Sequence, residues 1–294
     1  MRKEYPILAV VACIWGSGHP IGKLILKEIH PIQLSMLSAA LTFLALAVIL
    51  VATREFQNVR VLGRRGALLA VLGGVVMFFV YPILSFSALQ RIPASVNSIL
   101  VATNTIFATL MAIAVLKERL SPVNYGGIVL AFLGVPFVVL SSGWGALTAQ
   151  TLNAVGVALS LSGAVVAALY TIIGKVAMSD YDALSLTLVA SLAGGVIQTL
   201  VTSTIVGYAE ISRVSFPALA MILYWGVFSG VGYFLFYRCL KNLEAGRASS
   251  FIYFAPLFAV VSSFLILGEP LGVMLILGMI LIFVGVHLTQ RGKA

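Results

Sequence analysis

The sequence predicts an all-α integral membrane protein: ten transmembrane helices built as two five-helix inverted repeats, 1–145 and 146–294, with both termini in the cytoplasm. Three observations predict it. Of 294 residues, 61% are apolar and only 9% are charged, against about half and about a quarter in a soluble domain. The charges lie between long apolar runs and not within them. The two halves of the chain also resemble each other at a nearly constant offset.

Taken in order, the uncharged runs are 5–22, 29–53, 66–90, 92–116, 120–174, 183–209, 214–237, 248–268 and 270–290. About 20 apolar residues carry a helix across a bilayer. Eight runs therefore supply one span each, and the 55-residue run from Leu120 supplies two, folded at 141–145. Arg2-Lys3 before the first run resembles the start of a signal peptide, but no small-residue cleavage site follows, so this run is expected to stay as span 1. Cys13 and Cys239 stand alone in apolar surroundings and read as small packing residues, with no metal site implied.

The basic residues set the orientation. With ten spans, one side of the membrane carries Arg2, Lys3, Arg54, Arg60, Arg64, Arg65, Lys117, Arg119, Lys175, Arg238, Lys241, Arg247, Arg291 and Lys293. The other carries only Lys23, Lys27, Arg91 and Arg213. A bias of fourteen to four places the termini in the cytoplasm by the positive-inside rule. The net charge of +9 is thus topological information, and no nucleic-acid partner is expected.

At an offset of 151, Leu89 pairs with Leu240, Ala94 with Ala245, Ser98 with Ser249, Glu118 with Glu269, Gly127 with Gly278 and Gly134 with Gly285. At 152, Ile21-Gly22-Lys23 pairs with Ile173-Gly174-Lys175. A duplicated unit with an odd number of spans must enter the membrane upside down in its second copy. Secondary transporters commonly carry such inverted repeats, with a substrate site near the midplane between them.

Trp15-Gly16-Ser17, the 116–121 turn with Glu118, and its echo Leu267-Gly268-Glu269-Pro270-Leu271 resemble the signatures of the drug/metabolite transporter superfamily. The resemblance is narrower to its ten-span EamA-type branch, and within that to YddG-type amino-acid exporters. It covers the whole chain. It implies an exporter of amino acids and related metabolites from the cytoplasm. The chain is expected in the inner membrane as a single working unit, with no cofactor and with a small-molecule substrate and the bilayer as partners. The chain departs from the family pattern in having Thr105 where the second half has Pro256, so the family's helix bend is expected in one half only.

Mid-span polar side chains should face the interior, because exposing them to lipid is costly. In span 4, Ser98 and Thr105 lie on one small, partly polar face, with Asn97 and Asn104 beside it. In span 9 the equivalent stripe is Ser249, Tyr253, Pro256 and Ser263. Close helix packing also favours small residues, so each stripe alone fits packing as well as a pathway. Their equivalent places in the two repeats favour the pathway. Phe78, Tyr81, Pro82 and Ser85 in span 3, and Trp225, Ser229 and Tyr233 in span 8, add rings and hydroxyls at mid-depth. Trp15 and His19 share a face of span 1 just before Pro20, and Tyr170 holds a similar place in span 6. Pro20, Pro82 and Pro256 are the candidate hinges. Two readings of His19 stand: a buried neutral ring that donates one hydrogen bond, or a proton-coupling group.

The acids sit at span ends, so no carboxylate relay is expected. Glu118 and Glu269 are expected to cap the helices that follow them, and Lys23 and Lys175 to snorkel. The chain contains neither a Walker A loop nor a G-x-S-x-G elbow, so a transporter is favoured over a membrane-embedded enzyme. A pocket with no acid at mid-membrane fits a zwitterion with an apolar side chain better than a cationic drug or amine.

Overall fold

The structure, a computed structural model, describes residues 4–55, 62–116, 121–141, 153–178, 180–240 and 254–290. Eight helices among them are long and apolar enough to cross a membrane. These are α1 (Glu4–Ile25), α2 (Pro31–Thr53), α3 (Gly63–Leu89), α4 (Ala94–Ala102 continuing as Asn104–Leu116), α5 (Pro122–Ser141), α6 (Ala154–Ala177), α7 (Ala183–Val206) and α8 (Phe216–Leu240). Two shorter apolar helices follow, α9 (Phe254–Leu267) and α10 (Val273–Gln290). No strand occurs among the described residues.

Short polar side chains mark several helix starts. His30 Nδ1 accepts from Ile32 N while Gln33 Oε1 accepts from His30 N, a reciprocal cap with Pro31 in the first turn of α2. Asn153 caps α6 and Asp182 caps α7 through the N–H groups of Gly156 and Ser185. In lipid the apolar effect gives helices no reason to associate, so small residues that let backbones touch hold the bundle together.

That mechanism is clearest between α5 and α10. A Cβ added at Gly127 would lie 2.6 Å from Gly285 O, and one at Gly134 would lie 2.8 Å from Gly278 O. Asn124 Nδ2 also donates to Leu288 O and Thr289 O, both at 3.0 Å. Low numbers on α5 meet high numbers on α10, so the two helices run antiparallel. Elsewhere α1 packs on α8 and α9 while α6 packs on α3 and α4; α2 packs on α8 while α7 packs on α3. Gly74 lies against the backbone of Ala190 on α7, and Gly226 against Leu41 on α2. The packings of α1 and α2 thus parallel those of α6 and α7.

Two helices are irregular where proline or its sequence equivalent is found. Before Pro82, α3 widens into a π-turn over Val75–Val80, with Tyr81 N bonding Val76 O. A proline ring collides with the carbonyl four residues back, and a widened turn relieves that collision. Gln198 Nε2 on α7 donates to Phe79 O at 3.2 Å, satisfying a carbonyl in this turn. α4 is interrupted at Thr103, whose N–H turns to Leu100 O and whose carbonyl takes Ile106 N, both three-residue bonds. The bend is expected at Pro256 and not in the first half, yet a break is present there. The first half breaks two residues before Thr105, and the Thr103 hydroxyl stabilises the tighter turn by donating to Leu100 O at 2.6 Å.

Cys239 is buried with its Sγ 3.9 Å from Glu4 O, whereas Cys13 is exposed on α1 and does not pack as expected.

Candidate functional site

A cavity of about 550 Å³ lies among α1, α2, α3, α4, α6, α8 and α9. Small-molecule sites typically occupy about 300–1,000 Å³, so it has room for a metabolite. Helical spacing presents each wall. From α1 come Trp15, Gly18 and His19; from α3 Phe78, Tyr81, Pro82 and Ser85; from α8 Trp225, Ser229 and Tyr233. From α4 come Ser98, Asn104 and Thr105, the last two just past the break at Thr103. Tyr170 reaches it from α6 and Pro256 from the first turn of α9.

Three predicted residues do not line the cavity. Asn97 stands behind His19, its amide nitrogen 3.1 Å from the ring Nδ1. With that amide as donor, a neutral imidazole carries its proton on Nε2. Ser263 is fully buried and its hydroxyl has no partner, while Pro20 is buried in α1. Ser249 and Tyr253 lie outside the described residues, as do Glu118 and the 142–145 hairpin.

Two further walls escaped the sequence reading. Ser35, Ser38, Ala39 and Thr42 form a stripe on α2, and Thr171, Lys175 and Met178 extend the α6 wall. The α2 stripe has the same three-and-four spacing as the α4 stripe, so a signal existed. It went unread because no aromatic or titratable residue marks it.

The aromatic rings form a connected group. Trp15 lies 5.1 Å from Tyr233 and 5.8 Å from Phe236 between ring centroids, and Phe78 lies 5.9 Å from Tyr233. These are distances at which tilted rings attract. Among the described lining residues none is Asp or Glu, and Lys175 is the charged one.

One end of the cavity is sealed. Ile25 at the end of α1 and Leu26 and Ile29 after it pack with Leu34 of α2, Phe86 and Leu89 of α3, Ala94 of α4 and Ile222 of α8. Polar ties lie over this plug. Glu28 accepts from Ser215 N at 2.8 Å and from Ser215 Oγ at 2.7 Å. Glu210 accepts from His30 N at 2.8 Å, and Gln33 Nε2 donates to Gly207 O. Lys23 does not snorkel: its Nζ donates to Ile92 O at 2.6 Å and lies 3.6 Å from Glu269 Oε1. At the opposite end Thr171, Lys175 and Met178 are exposed while lining the cavity.

The hydrogen bonds from Ser215 hold the Glu28 carboxyl below the ordinary carboxylate pKa. This tie is therefore complete above the ordinary value, about 4.3, and is lost as pH falls through the depressed native one. Hydrogen exchange at the Ser215 amide, corrected for its intrinsic pH dependence, should accelerate across that range. A Glu28→Gln variant should lack the step.

Ring geometry and Asn97 contact give a prediction for His19. Glutamine carries its amide at about the reach of Nε2, on a flexible chain that can turn back to keep a hydrogen bond to Asn97. His19→Gln is expected to retain most uncoupled flux in vesicles, within about threefold, as for loss of one hydrogen bond of about 0.5–1.5 kcal/mol. Complete loss of flux would overturn the packing reading of this ring.

Comparison with known proteins agrees with this geometry. The profile of the EamA-like transporter family matches the chain twice, over residues 3–140 and 154–290. A Clostridium kluyveri protein named "Uncharacterized transporter" is 25% identical over 97% of this chain and 92% of its own. One from Archaeoglobus fulgidus is 27% identical over 99% of this chain and 100% of its own. A Streptantibioticus cattleyicolor protein named "Probable terminal-alkyne amino-acid exporter" is 25% identical over 99% of this chain and 94% of its own. A crystal structure of another protein, 15% identical, shares the fold with a TM-score of 0.66 over 98% of this chain and 96% of that one. A multi-pass membrane protein with apolar helices around one roomy cavity, this chain belongs to the EamA-like transporter family.

Proposed function

We propose that the chain exports amino acids with apolar or aromatic side chains, and related metabolites, from the cytoplasm across the inner membrane by alternating access. Its ten helices act as two inverted halves, 1–145 and 146–294, that rock about the cavity, and both termini face the cytoplasm. The cavity carries this reading: an aromatic wall, scattered hydroxyls, the amide of Asn104, and no lining acid among the described residues. A cationic drug or amine would find no counter-charge in that wall. Interrupted helices that line a cavity are a recurrent feature of transporter substrate sites, and the break at Thr103 supports assigning one to Asn104 and Thr105.

The twofold family match and the mirrored helix neighbourhoods support the duplication. The basic residues support the orientation. The sealed end then lies outside and the Lys175 end inside, an inward-open state. The relative named as an amino-acid exporter supports the substrate class.

The test is uptake of labelled phenylalanine, leucine and related amino acids into vesicles holding the purified protein. Uptake should exceed that of empty vesicles and depend only weakly on a pH gradient, since none of the described lining residues is an acid that could carry a proton. Uptake no faster than in empty vesicles for the whole amino-acid set would sink the proposal. Tyr81→Ala, Asn104→Ala and Trp225→Ala should each change the order of preference among amino acids. Wild-type preference in all three would remove these residues from the pathway.

A further inference from the structure

We propose that Glu269 is the latch of the gate that seals the cavity, and that each transport cycle requires its carboxylate to release the first turn of α4. The proposal rests on the alternating-access reading above and adds the element that holds one end shut.

The expected role of Glu269, capping the helix that follows it, is not what the structure displays. Its carboxylate crosses to α4 instead. Oε1 accepts from Ala94 N at 2.7 Å, and Oε2 accepts from Ser95 N at 2.9 Å and Ser95 Oγ at 2.6 Å. The N-cap residue of α4 is Pro93, which makes no side-chain cap hydrogen bond. The N–H groups at that helix start therefore take their acceptor from a residue about 175 positions away in sequence. Lys23 completes the knot, bonded to Ile92 O and paired with the same carboxylate.

The latch residue is held firmly in place. Gly268 has φ +67°, a left-handed conformation that a side chain would strain. Its N–H bonds Phe264 O and the Glu269 N–H bonds Ser263 O, the pattern that ends a helix and turns the chain back. Glu269 is thereby aimed across the bundle, with its side chain only 12% exposed. Hydrogen bonds to a carboxylate are stronger than neutral ones, and a helix N-terminus favours an anion.

This knot joins parts of both proposed halves: α1 and the α3–α4 turn from the first, the α9–α10 turn from the second. It also sits directly over the cavity. Ser98 lies one turn below Ser95 in the cavity wall, and Asn97 beside it touches His19, which is one turn below Lys23. The first turn of α4 cannot swing aside while Glu269 holds it. Lys175, the sequence equivalent of Lys23, lines the cavity at the exposed end. The two related lysines thus occupy different settings, as expected when one end is shut and the other is open.

The test uses the full chain without Cys13 and Cys239, in oriented vesicles, with single cysteines read by a membrane-impermeant maleimide. Gln90→Cys, at an exposed position beside the sealed end, identifies the compartment that this end faces. From that compartment Ser98→Cys should label slowly, and adding Glu269→Gln should raise its rate at least tenfold. Thr171→Cys should still label from the opposite compartment, reporting that the variant is folded. An unchanged or slower Ser98 rate with Thr171 still reactive would overturn the latch. If Glu269→Gln fails to fold, Lys23→Met should raise the Ser98 rate in the same direction, and no rise overturns the proposal. Failure of both variants to fold also overturns it, because a latch must be dispensable for the fold. No substrate is needed, so failure of amino-acid uptake would reject the substrate assignment and leave this result standing.

Discussion

Gly285→Leu should prevent formation of a stable protein, while Gly126→Leu, on the adjoining helix, should leave it intact. A Cβ at Gly285 would lie 2.5 Å from Ala131 N and 2.6 Å from Gly127 O. Both are backbone atoms, so no rotamer change relieves the overlap, and α5 and α10 must separate along their length. Overpacking a core ordinarily costs about 1–3 kcal/mol. Here the cost should exceed that range, because the same seam carries Gly127, Gly134 and Gly278 and the paired carbonyl acceptors of Asn124. At Gly126 an added Cβ meets nothing within 4 Å. The measurement is the monodisperse fraction on size exclusion in detergent, together with the thermal midpoint of what remains. A Gly285→Leu protein as monodisperse as wild type would mean that the seam does not hold these helices together.

The seam was partly legible in the sequence, because Gly127 and Gly134 recur as Gly278 and Gly285 at a fixed offset. The pairing was not legible: Gly127 meets Gly285 and Gly134 meets Gly278, which follows only once α5 and α10 lie antiparallel. The cavity walls on α1, α3, α4 and α8 could be read because polar or aromatic groups at mid-span must face inward. The α2 stripe was harder, since Ser35, Ser38 and Thr42 satisfy a packing rule equally well. Thr103 carries no proline to announce its break. The partner of Glu269 was least legible of all, because the groups it caps include the backbone N–H of Ala94, which any residue but proline would supply. Sequence spacing reports which side chains share a face. It does not report which distant backbone a turn residue reaches.

Trp225 should couple stability to transport through its contact with Gly18. Its indole lines the cavity and also packs against the apolar plug at the sealed end, so it forms the ceiling between them. A methyl group at Gly18 would fall inside that ring, against Cζ3, Cη2 and Cε3. Gly18→Ala should therefore push the indole out of place, towards the cavity. Trp225→Ala should instead leave a gap that opens into the cavity, and because the ring is only partly buried the cost should fall below about 3–5 kcal/mol, the range for a fully buried aromatic. Each single change should lower the thermal midpoint and cut uptake of aromatic amino acids by about tenfold, and Trp225→Phe should recover part of both by keeping a ring. The double variant decides the mechanism. With the indole gone, the Gly18 methyl has space, so Gly18→Ala should cost little in the Trp225→Ala background, and the two effects should fall short of additivity by at least about 1 kcal/mol, within the range for residues in contact. Strict additivity would mean that the ring does not rest on Gly18, and the ceiling of the cavity would have to be sought elsewhere.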